Sequence, residues 1–149
     1  VSAETVFWVL VGLHVSCAVV GFASVAFSGV YGFIAAGGGS EEEVRRYFAV
    51  PSRLEWLVLA VPFLGAGALA VHPHGRGVVQ LWSMLAAGVW LVAATLLLAV
   101  VRPAERSLRT TTSQGHSPDP GVGRRLGWAG VGSDVAFSVA FFLMIIQPR

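Results

Sequence analysis

The sequence predicts an all-α integral membrane protein, a four-helix bundle of up-down topology, and three observations carry that expectation. Of 149 residues, 55% are hydrophobic and only 12% are charged, about half the ~25% of ordinary soluble domains. The charges collect in short islands and leave four apolar stretches, at about 5–35, 54–71, 78–101 and 126–146. At ~1.5 Å per residue each is long enough to cross a hydrocarbon core of ~30 Å. All ten basic residues are arginines, and eight of them fall in the two longer connections, 36–53 and 102–125: Arg45, Arg46, Arg53, Arg102, Arg106, Arg109, Arg124 and Arg125. By the positive-inside rule these connections face the cytoplasm, while both termini and the turn 72–77 face the exterior or periplasm. The expectation is one multi-pass domain over 1–149 in a cell's inner (cytoplasmic) membrane. A formal charge of +2 gives no footing for nucleic acid, so the expected partners are the lipid bilayer and other membrane subunits.

Helix one is the stretch 5–35. It opens with Glu4 rather than a basic region, and its apolar run is about twice that of a signal sequence, so it is read as a span and not a cleaved leader. Wound at ~100° per residue, it places His14, Cys17, Gly21, Ser24, Ser28, Tyr31 and Gly32 within about a third of its circumference. This stripe should face into the bundle, because small residues allow close helix approach. His14 is the one histidine in the run, and an ionisable imidazole in hydrocarbon must find a partner or bind something. Cys17 is the one cysteine. No intrachain disulfide or CxxC chemistry is available to it, and it reads as a small packing residue.

The first connection continues through Gly37-Gly38-Gly39 to Ser40, which stands in capping-box spacing with Glu43. A short helix should follow, with Glu41 and Glu42 paired four residues on to Arg45 and Arg46, and with Val44, Tyr47 and Phe48 laid on the membrane surface. Pro51 ends it. Ser52 and Glu55 repeat the capping-box spacing at the start of helix two, which gives Glu55 a structural role. Pro62 removes a backbone donor mid-span and should kink that helix beside Gly65 and Gly67.

The turn 72–77 is short, so helices two and three are expected as antiparallel neighbours. Its His72 and His74 form an H-x-H pair, which needs further ligands before it can hold a metal. Helix three carries Gln80 near its outer end and Trp90 near its middle, with otherwise apolar residues that need only packing. Trp8 and Trp82 are expected at the outer boundary, Trp56 and Trp128 at the inner one. The polar segment from Pro103 to Gly123 reads as a mobile loop, and His116 within it has no identifiable ligand partner. Helix four sets Gly130, Asp134 and Ser138 at intervals of four. Asp134 is costly in hydrocarbon unless paired, and its depth lies within ~5 Å of that of His14, so a clasp between the two is expected.

The run Trp8 to Gly21 with Leu13-His14-Val15, together with the ending from Phe142 to Pro148, resembles a bacterial family of small four-helix integral membrane proteins of unknown function. In that family a lysine often precedes the final proline; here Gln147 stands there. Helix one alone also resembles copper-resistance D-type proteins and the membrane-bound protoporphyrinogen oxidases. That resemblance implies a b-type haem with His14 as axial ligand, and His72 or His74 would be the second.

No catalytic or metal-binding constellation is recognisable. The leading expectation is a non-catalytic accessory or assembly subunit of a larger membrane complex. The alternatives are a haem-binding redox or porphyrin-handling protein using His14, and a proton or small-solute transporter using His14, Asp134 and the Pro62 kink.

Overall fold

The computed structural model describes residues 2–50, 53–72 and 81–146. It comprises α1 (Ala3–Ala36), α2 (Glu41–Ala49), a 3-10 turn (Leu54–Trp56) running into α3 (Leu57–Ala70), α4 (Leu81–Leu96), a π-helical turn (Leu97–Val101) running into α5 (Arg102–Ser113), and α6 (Pro120–Ile146). No strand occurs among the described residues. Three helices are long and apolar enough to cross a membrane: α1, the continuous 81–113 helix and α6. The count reaches four if α2 and the 54–70 segment form one bent span. A broad apolar belt that includes Val9, Leu13, Phe27, Phe63, Leu91, Val135 and Phe142 is exposed, as lipid-facing helices require.

Local sequence sets the helix ends. The Ser2 hydroxyl accepts from Thr5 N–H at 3.2 Å and caps α1. At the other end Gly38 takes φ +72°, and Gly39 N–H reaches the Ile34 carbonyl at 3.0 Å, a closure that glycine makes without a Cβ penalty. Ser40 caps α2 through Glu43 N–H as its spacing predicts. Within α2, Glu42 binds both Arg45 and Arg46, while Glu41 instead accepts from the Ser117 hydroxyl at 2.6 Å. Asp119 accepts from Gly121 N–H at 2.7 Å, with Pro120 in the first helical position of α6, where its missing donor costs nothing.

The centre of the fold is the crossing of α1 and α6, its most extensive helix–helix contact, followed by α1 on α3 and α4 on α6. Glycines make the crossing. A Cβ on Gly130 would lie 2.8 Å from Gly29 Cα, and one on Gly32 would lie 2.8 Å from the Gly123 carbonyl, so neither helix tolerates a side chain there. The inward stripe expected on helix one is present at Gly21, Ser28 and Gly32, all buried.

Several expectations are corrected. The polar segment after Pro103 is α5, continuous with α4 through the π turn, and not a loop. Ala104, Leu108 and Thr112 repeat every four residues and are buried with Glu105, which gives the segment one packed face. The π turn precedes Pro103, which stands in the first turn of α5, where its missing donor is tolerated. On α2, Val44 and Phe48 are buried against the protein, chiefly against α5, rather than lying on a membrane surface. Tyr47 stacks on Tyr31 at 3.9 Å. Trp82 is buried, whereas Trp8, Trp56 and Trp128 are exposed. Helices α3 and α4 touch little.

Candidate functional site

His14 is half-buried on the inner face of α1, and its partner is on α3. Its Nδ1 lies 2.8 Å from the Val61 carbonyl; a carbonyl only accepts, so Nδ1 is the donor. Gly65 makes the room, since a Cβ there would sit 2.9 Å from His14 Cε1. One turn toward the other end, Pro62 supplies no N–H to the Val58 carbonyl, and Trp90 Nε1 donates to it at 2.8 Å instead. Trp90 is therefore a structural donor as well as a packing residue.

The expected His14–Asp134 clasp is not formed. Asp134 is exposed on α6, because residues four apart on a helix are offset by ~40° and the buried face runs from Gly130 to Ser133 and Ala136. His72 packs edge-on against Phe7 at 4.9 Å, and Phe7 lies seven residues, ~10 Å, from His14 along α1. His74 lies outside the described residues. Among the described residues no group of three or more His, Cys, Asp or Glu could hold a metal ion.

The main polar cluster lies elsewhere, where α1, α2, the 3-10 turn and α5 meet. Glu55 is 0% exposed and accepts from Arg102 Nη1 in an ion pair; Ser52, its expected capping-box partner, lies outside the described residues. The Arg102 guanidinium also lies 4.6 Å over the Trp56 ring, a cation–π contact. Glu105, 3% exposed, accepts from the Ser28 hydroxyl, and Ser28 Oγ is 3.0 Å from Tyr47 Oη. Arg109 Nε donates to the Phe48 carbonyl at 2.9 Å and satisfies the end of α2. Glu105, Tyr47 and Arg109 then line a cavity of about 440 Å³ whose other walls include Val19, Phe27 and Leu54.

Sequence reasoning missed this cluster. Its signal was an acid and an arginine at the same end of adjacent spans, Glu55 and Arg102, with Glu105 one turn further on. No family model, no curated protein and no solved structure matches the chain.

Proposed function

We propose that this chain is a non-catalytic accessory or assembly subunit of a larger membrane complex, and that it contacts its partner through the Asp134 face of α6. The observation that carries this reading is the exposure of Asp134 in an apolar helix. It lies eight residues from Leu126 and twelve from Ile146, roughly 12 and 18 Å along the axis. No hydrogen bond or ion pair holds its carboxyl within the described residues, and Val131, Val135 and Ser138 around it are exposed. A carboxyl at that depth costs ~2.5–3.5 kcal/mol against lipid. A partner helix that presents a donor removes the cost.

The partner is a different protein. The chain holds no lysine, and its arginines lie outside the apolar stretches or at their ends, so a second copy brings no lysine or arginine to the depth of Asp134. In this reading the α2 and α5 end faces the cytoplasm, both termini face outward, and the protein sits in a bacterial inner membrane, as the arginine distribution and the family resemblance suggest. Photo-crosslinking in the native membrane tests it. A crosslinker at Val135 should capture one discrete partner, and one at Phe63, exposed on α3, should not; lipid adducts alone at Val135 would overturn the proposal.

The haem reading rests on a separate observation, the Nδ1–H bond of His14 to a carbonyl, the arrangement that presents Nε2 to a metal. An absorption spectrum after haem-supplemented expression decides it. A Soret band lost in His14→Ala supports it, and the absence of a band refutes it.

A further inference from the structure

We propose that the groove beside α5 binds one anionic phospholipid, with an acyl chain laid along α1 and the phosphate on Arg109. The site is separate from the Asp134 face, since its lining comes from α1, α2, the 3-10 turn and α5 and includes no residue of α6. Val19, Ala23 and Phe27 follow one another along α1 over eight residues, ~12 Å, which fits within one leaflet, half of a ~30 Å hydrocarbon core. Phe48 and Leu54 add to this apolar wall. Val19, Phe27 and Leu54 are exposed, so the groove opens sideways to hydrocarbon, and a lipid chain is the filling at hand. The polar groups gather at one end: Ser28, next after Phe27, bonds Tyr47 and Glu105, and Arg109 stands one turn beyond Glu105 on α5.

The charges around the groove favour an anion. Glu55 is paired with Arg102. Glu105 is 3% exposed and accepts from Ser28. Against these two acids stand Arg102, Arg109 and Arg53, the last exposed beside Leu54, which leaves one positive charge in excess. Arg106, exposed on α5, adds to it. The acids of α2 occupy its first turn, away from the Tyr47 and Phe48 end that lines the groove, and Glu42 is held by Arg45 and Arg46. Arg109 is half-buried, its Nε donates to the Phe48 carbonyl, and no carboxylate pairs with its guanidinium among the described residues. The terminal nitrogens of such an anchored fork suit a phosphodiester, whose oxygens accept. A free phosphate would leave the apolar wall unfilled, and an uncharged lipid would leave the excess charge unmatched.

Native mass spectrometry of the whole chain, reconstituted into vesicles of equal phosphatidylglycerol and phosphatidylcholine and released in mild detergent, tests the site. One phospholipid should stay bound, with phosphatidylglycerol favoured about fivefold, the preference that one arginine near a membrane surface confers. Arg109→Gln should lower that preference about fivefold. Ala23→Trp, which fills the groove and removes no hydrogen bond, should expel the lipid while the helical circular dichroism stays that of the wild type. Asp134→Leu should retain it. Equal retention of the two lipids by the wild type, an unchanged preference in Arg109→Gln, a lipid still held in Ala23→Trp or lost in Asp134→Leu would overturn the proposal, as would displacement of the lipid by inorganic phosphate.

Discussion

At the scale of single residues, the structure depends on donors that meet carbonyls in a medium without water. His14 to Val61 and Trp90 to Val58 tie α1 and α4 to the same stretch of α3. Trp90→Phe leaves the Val58 carbonyl without a donor and should cost ~1–3 kcal/mol, whereas His14→Ala, which also removes the imidazole from Gly65, should cost ~0.5–1.5 kcal/mol for its bond; denaturant melts in detergent measure both. Arg102→Met isolates the buried Glu55 carboxylate and should cost ~3–5 kcal/mol, most of which returns when Glu55→Leu is added. The inward direction of His14 was legible from its stripe of small residues, but its partner was not, because a backbone carbonyl has no mark in sequence. The ion pair of Glu55 with Arg102 is not legible in sequence, because Ser-x-x-Glu spacing fits a helix cap as readily as it fits a buried acid.

At the scale of elements, the α1–α6 crossing and the 81–113 helix define the molecule. Gly130→Ala forces a Cβ to within 2.8 Å of Gly29 Cα and should destabilise the bundle by ~1–3 kcal/mol. Gly12→Ala meets nothing within 4 Å and should leave the melt unchanged or slightly improved, since alanine is the better helix former. The long helices were legible because hydropathy and length report them directly. Helix α5 was not, because its polar composition and Pro103 suggest a loop while its packed face repeats over only three turns. The registration of α6 failed for a related reason: a spacing of four drifts off a straight interface by ~40° per step, and Asp134 is the residue that drift carries outward.

At the scale of the whole molecule, α1, the 81–113 helix and α6 present an apolar exterior interrupted by Asp134. A buried charge cluster sits at the end where α2 and α5 pack. The fold is closed where glycines let α1 and α6 touch, and on the proposed function the exposed carboxyl of α6 is where a partner docks. Asp134→Leu should therefore leave the helical content and melt of the isolated chain intact while weakening association, the opposite of the pattern expected from Gly130→Ala. The most direct measurement is native mass spectrometry of the tagged chain extracted from its own membrane in mild detergent. The expected result is a discrete assembly that contains a second kind of subunit and has a mass well above the 15.7 kDa of one chain, with Asp134→Leu releasing the chain as a monomer. A wild-type chain that flies alone, or an assembly indifferent to Asp134→Leu, would contradict it.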